Sequence, residues 1–148
     1  MHHTTPTHIL AASLALAPWA IAQSNPPVTF QSLSTTGTPS AIRQHAMCPI
    51  PGGGFLLFGG ASSAGPNQTT YTLTGSTWTA QFPPFSPVTR TGHALTLDPA
   101  RQNVVLFGGK NPNGTLLPET WTWANGAWSL ATTANAPSPR SGHRMCFD

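Results

Sequence analysis

Short apolar runs alternate with segments rich in Gly, Pro, Asn and Thr along most of the chain. Residues 103–109 form a continuous apolar stretch, NVVLFGG, and residues 119–123 alternate between polar and aromatic side chains. The Asn-Gly pair at 125–126 is a strong signal for a two-residue hairpin, and residues 127–132 follow it. With residues 91–98 as a first strand, the pattern predicts four antiparallel β-strands in series.

An earlier copy of the same pattern lies about fifty residues upstream. Its strands are predicted at residues 42–48, 55–60, 70–74 and 77–82. In both copies an apolar strand ends in Phe-Gly-Gly. A repeat of this length with this ending is typical of a β-propeller, in which each repeat folds into one four-stranded blade.

The residues that recur at this interval are mostly glycine, histidine and aromatic. We expect structural roles for them: glycines that relieve crowding between blades, histidines that bond to the backbone, and aromatic rings that pack between blades. The alternatives are a metal site with one histidine per blade, and an aromatic platform for a sugar. The recurring residues are His45, Gly59, Gly60, Tyr71, Trp78, His93, Gly108, Gly109, Trp121, Trp128 and His143.

The repeat reads Arg-x-Gly-His, then apolar-Phe-Gly-Gly, then two aromatic residues seven apart. This order of residues resembles the kelch-repeat family. The resemblance implies an all-β, kelch-type β-propeller segment with two four-stranded antiparallel blades plus strands of flanking blades. It also implies that Arg43, Arg90 and Arg140 lie at the mouth of a central channel, where their guanidinium groups could bind acidic peptides. The alternative is that each arginine ties neighbouring loops together.

The amino-terminal segment is predicted to be separate from the fold. Residues 9–17 are apolar and Ala-Ile-Ala at 20–22 provides a small-x-small cleavage pattern, so residues 1–22 are interpreted as a signal peptide. An uncleaved membrane anchor is the alternative, but the apolar run is short for a bilayer span. The mature protein is therefore expected to be secreted or periplasmic, and not membrane-bound.

The remaining chain divides according to the repeat. Residues 23–40 are expected to form a linker and the outer strand of a preceding blade, and residues 137–148 the first strand of an incomplete third blade. Blade 1 is assigned to residues 41–86 and blade 2 to residues 87–136. A propeller ring needs about four to eight blades, so the chain is interpreted as a fragment, with assembly from several copies as the alternative.

Composition narrows the possible functions. Only 6% of the residues are charged, and Lys and Arg do not cluster, which argues against a nucleic-acid partner. The acidic residues, Asp98, Glu119 and Asp148, do not form a pair suited to general acid–base catalysis. We therefore predict no catalytic residue, no metal and no cofactor. Cys48 and Cys146 are expected to be two buried, unbridged thiols, because a whole blade separates them.

The sequence thus favours an exported, non-catalytic scaffold that binds a protein or carbohydrate ligand. The loops after each Gly-Gly, at residues 61–69 and 110–118, are the predicted recognition surface. The alternative is part of a galactose oxidase-like secreted copper enzyme, or of a carbohydrate-active propeller, whose catalytic residues lie outside this chain. The identity of the ligand and the total number of blades do not follow from the sequence.

Overall fold

The computed structural model describes residues 32–132 and 134–148, and residues 33–148 form one compact unit. In these ranges the chain contains β-strands and no helix, and hence no helix that could cross a membrane. The strands of the first half are β1 (Ala46–Pro49), β2 (Phe55–Phe58), β3 (Ala61–Ser62), β4 (Gly65–Pro66), β5 (Thr70–Thr74) and β6 (Thr77–Gln81). Those of the second half are β7 (Ala94–Asp98), β8 (Asn103–Phe107), β9 (Thr120–Ala124) and β10 (Ala127–Ala131).

Eight of these strands form two four-stranded antiparallel sheets with the same strand order along the chain. The first sheet, which we call blade 1, has the order β1-β2-β5-β6, and blade 2 has the order β7-β8-β9-β10. The two blades are equivalent in register: Phe58 pairs with Thr70 in blade 1, and Phe107 pairs with Thr120 in blade 2. The prediction of an all-β chain is confirmed, and the sheets are consistent with a kelch-type propeller segment.

The first strand of each blade begins later than predicted, at Ala46 and Ala94 rather than at residues 42 and 91. The cause is a left-handed residue just before each strand, since Gln44 has a φ of 56° and Gly92 a φ of 66°. A residue in this conformation breaks the extended backbone that a strand needs. The preceding residues therefore form a separate turn.

The loop at residues 61–69 contains a hairpin that the sequence pattern did not predict. Strands β3 and β4 pair within it, and the Asn67 side chain accepts a hydrogen bond of 2.7 Å from the Thr69 amide. Two-residue strands are too short to produce a pattern of alternating polarity. The corresponding loop of blade 2 is held instead by Asn111, whose Oδ1 accepts hydrogen bonds from the amides of Asn113 and Thr115.

The segments that flank the blades differ from the prediction in part. The predicted signal peptide and Phe30, assigned to an outer strand, lie outside the described residues. Thr36 is described, and it forms a parallel bridge with Thr77 at the outer edge of blade 1. Residues 137–148, predicted as the first strand of a third blade, contain no assigned strand.

The two cysteines are both free, but only one is buried. Cys48 is 6% exposed, and burial raises the pKa of its thiol to about 12. The prediction that Cys146 is also buried is wrong. In the described part of the chain no strand pairs with residues 143–148, so nothing covers the Cys146 thiol.

One apolar core joins the two blades rather than filling each blade separately. The cluster combines buried residues of both sheets, and apolar area removed from water contributes about 25 cal/mol per Å² to stability. Its members are Cys48, Leu56, Phe58, Leu95, Val104, Leu106, Trp123 and Trp128. Neither sheet could bury these side chains by itself, as expected for a repeat fold.

Candidate functional site

Three short segments that precede the first strands lie side by side; we call residues 43–45, 90–93 and 140–143 the entry segments. A chain of backbone hydrogen bonds joins them. The amide of Gly92 donates to the carbonyl of Gln44 at 3.0 Å, and the amide of Gly142 donates to the carbonyl of Gly92 at 2.7 Å. These three residues all have positive φ, including Gln44, the only non-glycine among them.

Two of the repeat histidines pack on a phenylalanine of the preceding repeat. His93 lies edge-on to Phe58, with ring centroids 5.5 Å apart and planes at 69°. His143 repeats this geometry on Phe107, at 5.5 Å and 68°. Each of these rings therefore contributes to packing between successive repeats, whereas His45 is exposed.

The expected histidine–backbone hydrogen bond is absent from these two sites. Within the described ranges, neither ring nitrogen of His93 or of His143 has a hydrogen-bond partner. The backbone of Phe58 acts to raise the pKa of His93, but its contact with the imidazole ring does not have hydrogen-bond geometry. Nothing in the sequence indicated that these ring nitrogens lack partners. Because imidazole is polar, we expected a hydrogen bond to the backbone.

Burial disfavours the charged form of both of these histidines. It lowers the pKa of His93 to about 3, and the nearby charge of Arg90 acts in the same direction. Burial, followed by the charges of Arg140 and Arg144, also lowers the pKa of His143. A charged imidazolium ring in a buried position would lower the stability of the fold, because a charge is poorly solvated there.

The Gly-Gly pairs allow each entry segment to lie directly on the preceding repeat. A Cβ on Gly59 would lie 2.9 Å from both the carbonyl oxygen of Arg90 and Cε1 of His93. A Cβ on Gly108 would lie 2.6 Å from the carbonyl oxygen of Arg140. Both glycines also have a positive φ, so a side chain is disfavoured on two grounds.

The three arginines predicted at the channel mouth occupy different environments, and only Arg90 and Arg140 lie at equivalent repeat positions. Arg90 is 0% exposed, and its guanidinium donates to the carbonyls of Val88 and Gly108 and forms an ion pair of 2.5 Å with Glu119. Burial lowers the pKa of Arg90, and Glu119 partly offsets this. All these partners lie on or next to blade 2. The geometry of Arg90 is thus that of an arginine that ties neighbouring loops together.

Arg43 and Arg140 are instead exposed. The guanidinium of Arg140 donates to the backbone and hydroxyl oxygens of Ser138, and that of Arg43 has no hydrogen-bond partner in the described part of the chain. Arg43 is equivalent to Thr91 rather than to Arg90, because Arg43 exchanges two backbone hydrogen bonds with Ala61 as Thr91 does with Lys110. The position of Arg90 is therefore occupied by Ile42 in the first copy of the repeat. The assignment of the three arginines as ligand-binding residues stays a prediction, and the structure leaves only two of them accessible.

Glu119 pairs with the buried Arg90, and sequence reasoning missed this role. The amide of Gly59 donates to the carbonyl of Thr69, and the amide of Gly108 donates to that of Glu119, so Thr69 and Glu119 are structurally equivalent. The sequence did contain a signal for this role, because Glu119 is an isolated acidic residue at the start of a predicted strand of the repeat. Blade 2 therefore holds both members of an ion pair, Arg90 and Glu119, whereas the first copy of the repeat has Ile42 and Thr69 at these two positions.

The loops that follow the Gly-Gly pairs, at residues 61–69 and 110–118, lie at the same end of the strands in both sheets. We call this end of the molecule the loop face. Each loop begins with two backbone hydrogen bonds of 2.9–3.0 Å to an entry segment. Antiparallel strands place these loops and the connection between the blades at the same end of the sheets. The bonded pairs are Arg43 with Ala61 and Thr91 with Lys110.

Among the recurring Tyr and Trp residues, Trp128 is buried and the other three are partly covered. The indole N–H of Trp128 donates to Thr70 Oγ1 at 2.8 Å, and its ring packs edge-on to Phe58. Tyr71, Trp78 and Trp121 are half-buried. This arrangement fits packing better than an aromatic platform for a sugar.

Two exposed aromatic residues lie outside the repeat pattern. Phe82 is 87% exposed and Phe85 is 74% exposed, both on the connection between the blades. This connection lies beside the loop at residues 61–69, since the Thr89 hydroxyl donates to Gln68 Oε1 at 3.3 Å. Sequence reasoning singled out only repeated residues and therefore passed over this pair.

The first strands border a pocket of about 230 Å³. His45, His93 and His143 line it together with Met47, Arg144 and Met145. In the described ranges, no group of three or more His, Cys, Asp or Glu side chains is arranged to hold a metal ion. The histidines therefore share a pocket without forming a cluster of ligands.

No protein-family model matches the chain. The chain is 30% identical over 128 residues to an F-box/kelch-repeat protein of Arabidopsis thaliana. The match covers 74% of this chain but 26% of that protein, so the chain spans about a quarter of the length of the relative it matches. The chain is thus similar to a kelch-repeat protein, in agreement with its propeller-like sheets.

We expect Gly59→Ala to destabilise the protein more than Gly75→Ala, a matched control. Both residues have a positive φ, which costs alanine about 1–2 kcal/mol, but no atom lies within 4 Å of a Cβ at Gly75. At Gly59 the collision with Arg90 and His93 adds about 1–3 kcal/mol. Urea unfolding measures both losses. Equal losses would show that close contact between the blades does not constrain Gly59.

We also expect stability to fall as the pH is lowered from about 6.5 to 5. The pKa of His93 is about 3 in the folded protein and 6.5 as its ordinary value, so the unfolded chain binds more protons in this window. The free energy of unfolding should then fall with a slope that rises from about 0.7 kcal/mol per pH unit at pH 6.5 towards about 1.4 kcal/mol per pH unit at pH 5 because of His93. His143 contributes in the same direction.

Urea unfolding at several pH values in this window measures the slope. His93→Gln should reduce the slope, whereas replacing the exposed His45 with glutamine should leave the contribution of the buried ring in place. A slope that is the same in the wild-type protein and in His93→Gln would contradict a neutral, buried His93.

Proposed function

We propose that the chain is part of a kelch-type binding scaffold without catalytic residues of its own, and that its loop face binds a partner protein through carboxylate groups. The observation that carries this proposal is the pair of exposed arginines, Arg43 and Arg140, in entry segments whose backbone position is fixed. Similarity to an F-box/kelch-repeat protein supports the scaffold role. Because the match covers only 26% of that relative, its own partners are not transferred to this chain.

The loop face is well ordered for a recognition surface. The hairpin of β3 and β4 closes the loop at residues 61–69, and Asn111 organises the loop at residues 110–118. Leu117 is 8% exposed and anchors the second loop to the blade. Loops that are already ordered lose less conformational entropy when a partner binds, which favours affinity.

Charge at this face favours an acidic partner. The chain has six Lys and Arg against three Asp and Glu. Asp98 is paired with Arg101, and Glu119 is paired with Arg90. The exposed guanidinium groups of Arg43 and Arg140 are therefore not neutralised by these carboxylates. Guanidinium groups bind carboxylates with two parallel hydrogen bonds, which gives both affinity and orientation.

A fluorescent decaglutamate peptide provides a direct probe. We expect Arg43→Gln and Arg140→Gln each to weaken binding by about tenfold, which corresponds to about 1.4 kcal/mol at 25 °C. Arg101→Gln is the matched control, because Arg101 is 76% exposed but lies in the turn at the opposite end of blade 2. Fluorescence anisotropy gives the affinities, and a decaglutamine peptide controls for charge.

If all three substitutions weaken peptide binding equally, binding depends only on the net charge of the protein. Undiminished binding by the Arg43→Gln and Arg140→Gln double variant would place the acidic site elsewhere. Either result would contradict the role assigned to the two arginines. The double variant should keep the unfolding free energy of the wild type, since both side chains are exposed.

We further propose that the protein is exported and that residues 1–22 are removed. The apolar run at residues 9–17 and the small residues before Gln23 support this. When the full sequence is expressed in a host with a secretory pathway, mass spectrometry of the exported protein should find Gln23 at the amino terminus. Ala22→Arg should block cleavage. Protein that keeps Met1 and stays inside the cell would contradict export.

A further inference from the structure

The connection between the two blades presents several apolar side chains to solvent. Phe82 is 87% exposed, Phe85 is 74% exposed and Val88 is 49% exposed. We call residues 82–88 the aromatic connection. It joins two complete four-stranded sheets, so both of its ends are fixed within the described part of the chain. Exposed apolar side chains that cluster mark an interaction surface, whereas isolated ones need no explanation.

The fold of the repeat does not require these aromatic rings. In both connections, the arginine of the next entry segment stands twelve residues after the tryptophan of the fourth strand. The two connections can therefore be aligned without a gap. At the positions of Phe82 and Phe85, the connection that follows blade 2 has Thr132 and Asn135. The rings are thus a feature of the first connection alone.

The prolines of the aromatic connection hold the rings in place but are not themselves a recognition motif. Pro84 and Pro87 have the Pro-x-x-Pro spacing of proline-rich ligands, which aromatic grooves bind. Pro87 is fully buried, so a groove of that kind cannot reach both prolines. The buried Arg90 donates from Nε to the carbonyl of Val88 at 3.1 Å and fixes the end of the segment. A partner therefore contacts the exposed rings.

A pocket of about 230 Å³ lies beside the rings, and we call it the hole. A cavity of about 150 Å³ is large enough for a benzene ring, so the hole can accept a phenyl side chain. Phe85 lies outside the hole of its own chain and is free to enter another. The lining includes Gln68, Thr69, Thr70, Gln81, Phe82 and Ser86.

Polar groups at the hole already have hydrogen-bond partners within the chain. Thr70 Oγ1 accepts the indole N–H of Trp128 at 2.8 Å, and Gln81 Nε2 donates to Thr72 Oγ1 at 2.9 Å. A phenyl ring can enter without breaking these bonds. Burial of a polar group is costly when it loses its partner, and that cost does not arise for these two bonds. The hole therefore suits an apolar side chain.

The absence of charge from this part of the sequence favours a second copy of the chain as the partner. Between Gln44 and Thr89 the sequence contains no Asp, Glu, Lys or Arg. Two identical surfaces that meet across a two-fold axis place the same patch of each copy together, so any charge there would face its own kind. The formal net charge of the chain is +3, and a charge-free surface avoids that repulsion.

We propose that two copies of this chain associate through the aromatic connection, with Phe85 of each copy in the hole of the other. Phe82 borders the hole and contacts the incoming ring, and aromatic pairs of this kind add to the gain from apolar burial. The contact is formed by loops and leaves the sides of both sheets free. It requires neither of the exposed arginines, so it is independent of the proposed binding of carboxylates.

Sedimentation velocity of the full chain over a wide range of concentrations measures this association. We expect a monomer–dimer equilibrium, and Phe85→Ser should raise the dimer dissociation constant at least about tenfold. Thr69→Phe should have the same effect, because its side chain fills the hole from within. Leu130→Ser is the matched control, since Leu130 is 58% exposed on β10 and its loss should leave the constant unchanged.

A mixture of the two variants gives the sharper test. Phe85→Ser keeps the hole but lacks the inserted ring, whereas Thr69→Phe keeps the ring but lacks the hole. Each variant alone can form no ring-in-hole contact, but one copy of each can form one. Native mass spectrometry separates the species by mass, and we expect the mixed dimer to exceed both homodimers. The wild-type dimer, with two contacts, should be the tightest.

Urea unfolding of each variant controls for loss of structure. If Thr69→Phe is less stable than the wild type, Ser86→Phe fills the hole from its other border and should behave in the same way. A wild-type chain that stays monomeric, dimers that Phe85→Ser does not weaken, or a mixture without excess mixed dimer would each overturn the proposal. Flotation with phosphatidylcholine vesicles covers the other occupant. Vesicle binding by the monomer that Phe85→Ser abolishes would show that a lipid surface takes the rings, and the proposal would be wrong.

Discussion

The structure depends on the close approach of each entry segment to the Gly-Gly pair of the preceding repeat. This approach places a histidine ring on a phenylalanine and brings one backbone amide to the carbonyl of the repeat arginine, at 3.0 Å for Gly60 and 2.8 Å for Gly109. A side chain at Gly59 or Gly108 would occupy the space that these groups need. The distance between repeats is therefore set by the backbone, and the apolar core fills the space that remains.

This arrangement explains why polar side chains can be buried between the blades. His93 remains neutral, so it behaves as a flat, weakly polar ring, and its missing hydrogen bonds are the cost of that position. Arg90 stays charged at 0% exposure because Glu119 and two carbonyl oxygens satisfy its guanidinium. Removing one partner would leave an uncompensated buried charge, which is the costly case for an ion pair.

Much of the fold could be predicted from the sequence because each repeat contains its own signals. Thr70–Thr74 was predicted with the correct bounds, since a hairpin turn follows it directly. The start of β1 was not, because Gln44 adopts a left-handed conformation that sequence pattern associates with glycine. The exposure of Cys146 was also missed: repeat position predicted burial, but burial requires strands on both sides.

The candidate site was less predictable than the fold because its character lies in the differences between the repeats. Arg43 and Arg90 were assigned to one repeat position, but the backbone pairs Arg43 with Ala61 as it pairs Thr91 with Lys110, so Arg90 corresponds to Ile42. The buried ion pair of Arg90 and Glu119 occurs in blade 2, and its members lie 29 residues apart along the chain. A pattern made of recurring residues cannot show it.

The hydrogen-bonded row formed by Gln44, Gly92 and Gly142 has a geometric consequence. Peptide groups hold successive repeats together at 3.0 and 2.7 Å on one side, whereas the indole of Trp128 lies between the two sheets on their other side. Two sheets held close on one side and spread on the other form a wedge. In a ring of such sheets, the angle of the wedge sets the number of blades. A change in the size of the aromatic residue between the sheets could therefore change the diameter of the ring without altering the backbone of the entry segments.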